Sequence, residues 1–421
     1  MTVTDLTGED FDPFTTHRED PYPFLAEARR NQPVFYSERL EAWCVTRHED
    51  IERILRDGVM FSCYDHNPRP PATVSAELLQ TLATWRGDAR PMGSIDGTEH
   101  TRIRTVAGRG FTARALRAYE TRITDAADAL LDGLQRQPSF AFIAAFAYPF
   151  PLSVILNVLG VPQNYHDRCR EWTELRLRVM LPRDPPSLDV QQQCVQGLKD
   201  FAAMSRAVVA DRLEQPQEDL ISAMLHSEFH GHRMTPDEVV AQIPTLISAG
   251  HESTAQALAG SVHRLLSTPG GWSQLVDGDL NVGAFVEEGL RHDGPLAGFF
   301  RTAMDDCELA GVRLPRGARI FLAYASASRD EAVFTDPDTF NSERANVRSH
   351  LAFGGGPHHC VGAALARQEL VIGLRRLAER LPRLALADLE VHRLDRFPLR
   401  AMSDFRVTSG NRPVRTAHEA S

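Results

Sequence analysis

The chain has 421 residues, 43% hydrophobic and 24% charged, a composition that supplies a large core and excludes a disordered or fibrous chain. Acidic residues outnumber basic ones 56 to 46, and the net charge of −10 disfavours nucleic acid and anionic lipid as main partners. Lys199 is the single lysine, so no Gly-Lys-Ser/Thr phosphate loop exists, and any Schiff-base chemistry would have one residue to use.

Cysteines stand at Cys44, Cys63, Cys169, Cys194, Cys307 and Cys360 with no Cys-x-x-Cys pair. Zinc ribbons and the usual iron–sulfur runs are thereby excluded, and a reducing compartment is expected. Met1 to Asp12 is polar and acidic, without a basic start or an apolar stretch, so no leader peptide or membrane anchor is expected and the cytoplasm is the expected location.

In chain order, Asp20-Pro21-Tyr22-Pro23 opens a helix through Arg30, and Pro33 to Val45 alternates as a hairpin around Glu38-Arg39. Cys63 to Pro91, with Pro68, Pro70 and Pro71, reads as a long loop holding a short helix. From His100 to Ser267 the pattern is helical. Within it Phe140 to Val161 carries no charge, but Pro149 and Pro151 at its centre oppose a spanning helix and predict a buried helix pair.

Thr235-Pro236-Asp237-Glu238 supplies an N-cap, a first-turn proline and a capping-box glutamate, and Ser267-Thr268-Pro269-Gly270 ends the helix. Pro244 and Gly250 lie in its middle, where a disruption and a site are expected. A helix over Val282 to His292, strands from Cys307 to Tyr324, a helix from Val361 to Arg380 and strands from Phe405 to Val414 complete a mainly α protein with a smaller β region.

The strongest chemical signal is Phe353-Gly354-Gly355-Gly356-Pro357-His358-His359-Cys360-Val361-Gly362. Glycines and a proline build a tight turn that delivers one cysteine to a helix start. There the free amides favour thiolate and prepare the sulfur for a metal or for attack.

Glu288 and Arg291 share a helix face at i,i+3, which alone is an ordinary pair. His100 and Arg104 stand one turn apart. Ala249-Gly250-His251-Glu252-Ser253-Thr254 lies in the central helix, and Ala255 occupies the place of the second histidine of a zinc-protease motif, which therefore fails.

The cysteine stretch resembles, position for position, the haem-binding signature of the cytochrome P-450 family, and the flanks His350 to Phe353 and Ala363 to Glu369 are similar to its soluble bacterial members. The resemblance implies the cytochrome P-450 fold as one haem domain over residues 1–421, with no fused reductase. Its cofactor would be haem b, with Cys360 as thiolate ligand of the iron and Phe353, Gly354 and Gly362 shaping the loop.

The same resemblance makes His100, Arg104, Arg301 and His358 the partners of the haem propionates. Glu288, Arg291 and Arg344 become a structural Glu-Arg-Arg brace. Ala249, Gly250, Glu252, Ser253 and Thr254 become the oxygen-binding stretch, Gly250 leaving room for O2 and Glu252 with Ser253 relaying protons. Ser253 departs from the usual threonine; it keeps the hydroxyl and loses the methyl that restricts its rotamer.

The implied activity is monooxygenation, by hydroxylation or oxidative dealkylation, of a small hydrophobic or aromatic substrate with O2. Thr245, Leu246, Leu296, Ala297, Phe299, Phe300 and Met402 are expected to line its pocket. Electrons would come from a separate ferredoxin and a reductase using NADH or NADPH, docking on Arg102, Arg109, Arg348, His359 and Arg367. A peroxide-driven enzyme of the same fold and a non-catalytic haem sensor or carrier are the rival readings. Turnover with peroxide alone, or the absence of any oxygenated product, would distinguish them.

Overall fold

The computed structural model of the chain describes residues 10–69, 74–181, 184, 186–387 and 390–410. Its first third mixes helices with short strands: α1 (Tyr22–Asn31), β1 (Val34–Ser37), β2 (Ala42–Val45), α2 (His48–Arg56), β3 (Phe61–Ser62) and α3 (Ala76–Thr84). A helical body follows with α4 (Gly97–Ala107), α5 (Ala113–Leu134), β4 (Ser139–Ala141), α6 (Pro149–Leu159), α7 (His166–Met180), α8 (Leu188–Glu214) and α9 (Leu220–His226). The hairpin β5 (Glu228–Phe229) and β6 (His232–Arg233) leads into α10 (Pro236–Ser267), then α11 (Gly271–Asp277) and α12 (Val282–His292). The last third holds β7 (Phe299–Ala303), β8 (Cys307–Leu309), β9 (Val312–Leu314), β10 (Arg319–Leu322), α13 (Tyr324–Ala327), α14 (Ala363–Arg380), β11 (Ala385–Leu386) and β12 (Arg406–Thr408).

The larger sheet runs β1-β2-β10-β7-β3, with the β2–β10 pair parallel and the others antiparallel, so the first and last thirds of the chain share one sheet. A second sheet joins β11, β12 and β4. One large apolar core lies among the helices, and two smaller ones flank the first sheet. No described helix is long and apolar enough to cross a membrane.

At the centre stands α10, 32 residues long and packed against α6, α8 and α14. Its start forms as the sequence predicts: Thr235 Oγ1 accepts from the Glu238 amide at 3.2 Å and the Glu238 carboxylate accepts from the Thr235 amide at 2.8 Å. The expected disruption is absent. Helix α10 is continuous through Pro244, which removes one amide from a rod held on several sides by packing.

The uncharged stretch also differs from the expected helix pair. It forms β4, a single π-helical turn over Ile143–Ala147, and the one helix α6, whose prolines fall in the first turn where no amide partner is needed. Phe142, Phe146 and Phe150 follow one another at 6.0 and 5.4 Å, which accounts for the burial of this stretch. The C-terminal helix begins at Ala363, two residues later than expected. Strand β7 was not foreseen, and of the expected last strand residues 411–414 lie outside the described ones.

Candidate active site

Cys360 ends a loop clamped on both sides. Its amide donates to the Phe353 carbonyl at 2.9 Å, and its own carbonyl accepts from the Ala363 amide at 3.3 Å. Gly356 has φ +61°, and a Cβ there would lie 2.0 Å from the Leu55 carbonyl oxygen at the end of α2; glycine alone allows that approach. Arg104 donates to the His359 carbonyl, while Arg367 stacks its guanidinium 4.4 Å from the Phe353 ring centre. Cys360 is exposed. Burial pushes its thiol up, against the amides of Gly362 and Ala363 and the charges of Arg104 and Arg367. These amides and charges act in the direction the sequence predicts for a sulfur at a helix start, and burial opposes them.

Behind the loop the expected brace is present. Arg291 grips Glu288 bidentately at 2.7 Å, with both side chains wholly inaccessible to solvent. Arg291 also donates to the carbonyls of Ser328, Pro337 and Thr339, Arg344 approaches Glu288 at 3.5 Å, and the Asn341 amide donates to Glu288 at 2.7 Å. The neighbouring Glu287 was missed by sequence reasoning. It pairs with His350 at 3.2 Å and with Arg367 at 3.1 Å, tying α12 to both flanks of the cysteine loop. Burial alone would raise its carboxyl, but the bonds from His350 and Arg367 hold it at about 2. Its signal was the second acid in Glu287-Glu288, next to a motif already recognised.

His100 and His358 come together with ring centres 3.9 Å apart. His100 is buried and its Nε2 has no partner, while burial, with the His358 and Arg104 charges, draws its imidazole down to about 4. Arg301 is buried, donates to the Phe300 carbonyl at 2.8 Å, and has no carboxylate partner among the described residues. His358 approaches Asp96 at 3.3 Å, and Cys63, Asp96 and His358 bring three potential ligand atoms within 4.8 Å. This cluster excludes Cys360, and Asp96 is already engaged by the Ser62 hydroxyl and Cys63 amide. A thiol at a helix start, an orphaned imidazole nitrogen and a buried uncompensated guanidinium fit a metalloporphyrin bearing two carboxylates.

In the middle of α10, Ala249 is exposed while its neighbours are mostly buried, and the Ser253 hydroxyl donates to the Ala249 carbonyl at 3.1 Å, as the shared face predicts. Gly250 and Thr254 lie on another face. A Cβ on Gly250 would meet Ile155 Cγ1 of α6 at 2.9 Å, and the buried Thr254 hydroxyl returns to the Gly250 carbonyl at 3.3 Å. The glycine therefore admits α6.

Glu252 has its Oε1 buried without a partner, and burial pushes its carboxyl up to about 8 despite the charges of Arg176 and Arg396. Beside it, His251 Nδ1 bonds the Ile247 carbonyl at 2.8 Å, leaving Nε2 as a buried acceptor, edge-on to Tyr148, whose hydroxyl is also unpartnered.

The expected pocket lining is only partly together. Thr245 is half-buried with an unpartnered hydroxyl, and Leu246 is buried one residue on. Phe299 and Phe300 alternate in β7: Phe299 faces Tyr324 and His66, whereas Phe300 packs on Phe321 at 5.1 Å under the Arg319 guanidinium. Phe300 is therefore core. Ala297 packs with the N-terminal apolar cluster, Leu296 bridges to Leu399, and Met402 bonds Gln256 and lines a cleft of 440 Å³ with Gly260 and His263. Of the expected basic patch, Arg102 is paired with Glu238 and Arg367 with Glu287. Arg109, Arg348 and His359 remain exposed.

The chain is similar to known proteins in sequence and in fold. The family model described as cytochrome P450 matches residues 282–382. Nocardicin C N-oxygenase of Nocardia uniformis subsp. tsuyamanensis is 35% identical over 92% of this chain and 94% of its own. The cytochrome P450 haem domain of Tepidiphilus thermophilus superposes with a TM-score of 0.88 at 28% identity over 97% of this chain and 99% of that one. Cytochrome P450 CREJ, solved in complex with (4-ethylphenyl) dihydrogen phosphate, superposes with a TM-score of 0.87 at 27% identity over 96% and 100%.

Proposed function

The chain belongs to the cytochrome P450 family of haem monooxygenases, and from that premise we propose how its own residues divide the work and what they act on. The observation that carries the reading is the cysteine loop, fixed by the Phe353 carbonyl, the Leu55 carbonyl and the Glu287–His350–Arg367 cluster with Cys360 at its end. When bound, haem supplies the redox chemistry that activates O2, with Cys360 as its thiolate ligand. His100, Arg301 and His358 bind its carboxylates, and Arg104 holds the His359 carbonyl so that the sulfur keeps its direction.

On the other side, Ala249 and Ser253 form the open face of α10 towards the reacting centre. The Ser253 hydroxyl, parked on the Ala249 carbonyl, is the last proton donor, and Glu252 keeps its own proton near neutral pH because of burial. The substrate is a small organic molecule with an apolar body, received beside Thr245 and Phe299. It is hydroxylated, or dealkylated where the attacked carbon adjoins oxygen or nitrogen. Electrons arrive from a separate ferredoxin and its NADH- or NADPH-dependent reductase, and Arg109 and Arg348 are the exposed cations that support docking, with His359 exposed beside them. A cytoplasmic location fits six free cysteines.

The test is the carbon monoxide difference spectrum of the dithionite-reduced protein. A strongly red-shifted Soret band is expected from thiolate ligation by Cys360. A band where histidine-ligated haems absorb, or a protein that takes up no haem, would overturn the reading.

A further inference from the structure

Two arginines outside the machinery described so far converge on the same stretch of α10. Trp85 ends α3 and packs on Phe201 of α8 at 6.0 Å; Trp172 of α7 packs on the same ring at 5.1 Å. Arg86 follows Trp85 directly, with its guanidinium 4.5 Å from that indole, and Arg176 shares a face of α7 with Trp172 at i,i+4. The aromatic trio thus seats both arginines on one cluster. Arg176 reaches Ser248 at 3.3 Å, one turn from Thr245 and next to the exposed Ala249. The chain after Arg86 is pinned to α10 as well, because Gln242 donates to the Arg90 carbonyl and accepts from the Met92 amide.

Neither arginine has a carboxylate partner among the described residues, and Arg86 Nε is buried with no acceptor. Burial and the Arg176 charge pull Arg86 down to about 9, and Glu252, the acid that feels Arg176, is itself pushed towards its neutral form. In a chain of net charge −10 with arginines paired elsewhere, two half-buried like charges on one aromatic cluster, near enough for one to depress the other, lack a carboxylate partner among the described residues. The guanidinium fork matches planar and tetrahedral oxyanions bidentately.

We propose that Arg86 and Arg176 form a two-point clamp for an oxyanion on the substrate, a carboxylate, sulfate or phosphate whose apolar body then runs past Thr245 to Ala249. This deepens the monooxygenase reading by giving its substrate class, and it rests on that reading.

The experiment uses the haem-loaded full chain and matched probes that differ only in the anion: 4-ethylphenyl phosphate against 4-ethylphenol, and dodecanoate against dodecanol, read by the ferric spin-state shift. Each anionic member is expected to bind about tenfold or more tighter than its neutral mate, with R86Q and R176Q each weakening the preference and the double variant erasing it. Melting of wild type and double variant in sodium sulfate against sodium chloride of equal ionic strength gives a second readout. Sulfate raises the Tm of both proteins by its exclusion from protein surfaces, and the wild type is expected to gain more than the double variant; equal gains overturn the clamp.

Equal binding of neutral and anionic mates, or a preference that survives in the double variant, overturns the clamp. So does haem loss in R86Q, which would assign Arg86 to the haem carboxylates. A carbon monoxide band of the histidine type overturns the haem-thiolate reading instead, and the sulfate melt still decides whether the anion site exists.

Discussion

The two sides of the site are built by opposite rules. Below, Glu287, Glu288, Arg291, His350 and Arg367 close on one another and on backbone carbonyls, and the unpartnered atoms lie around them, on Arg344, Gln368 and Glu369. Above, in the middle of α10, Thr245, His251, Glu252 and the facing Tyr148 each bury a polar atom without a partner. Unsatisfied buried groups cost about 1–3 kcal/mol each, so their concentration along two turns of α10 and the facing Tyr148 is a cost that the proposed proton relay gives a reason for. The lower side is built to stay, the upper side to react.

Several changes break or sharpen that contrast. Cys360→Ala removes the metal ligand and is expected to lower O2-dependent turnover by about 100-fold or more, with loss of the red-shifted carbon monoxide band. Arg291→Ala strands Glu288 in the interior and is expected to cost about 3–5 kcal/mol, read as a large drop in Tm and in haem content.

Glu252→Gln acts on the reactive side. Turnover is expected to fall about tenfold, with more peroxide released per reducing equivalent. Its stability effect has a defined sign. A carboxyl raised from 4.5 to about 8 destabilises the fold progressively as pH rises from about 5 to 8, so the glutamine variant is expected to match wild type at pH 5 and to melt higher at pH 8.

Gly250→Ala is expected to cost about 1–3 kcal/mol, because the new methyl meets Ile155, and a calorimetric melt will show it. Ser253→Thr is the mildest change: it restores rotamer restriction at the hydroxyl and is expected to improve product yield per electron by less than about twofold.

The same contrast decides what the sequence made legible. The cysteine loop, the Glu288–Arg291 pair and the capped start of α10 use residue types whose spacing alone states their geometry, and the structure has them where the sequence puts them. Less could be read where long-range packing decides. That Gly250 serves α6, that Phe300 turns into the core while Phe299 does not, and that Ala297 joins the N-terminal cluster depend on partners distant in sequence. Pro244 misled for a related reason: a propensity worth a broken helix in isolation is overridden where neighbouring helices hold the rod. Glu287 was hidden by adjacency, since one recognised acid masks the role of its neighbour until His350 and Arg367 are seen to meet it.

The seat of Gly356 against the Leu55 carbonyl has a bearing on how the protein is made. That contact joins positions some three hundred residues apart, and β2 pairs with β10 across a similar interval. During synthesis the amino-terminal third must therefore wait, folded or held, until nearly the whole chain has left the ribosome before the cysteine loop has anything to rest on. Cofactor capture becomes a late event in biogenesis, and a chain cut short between Arg301 and Cys360 would carry His100 and Arg301 with no sulfur to receive the iron.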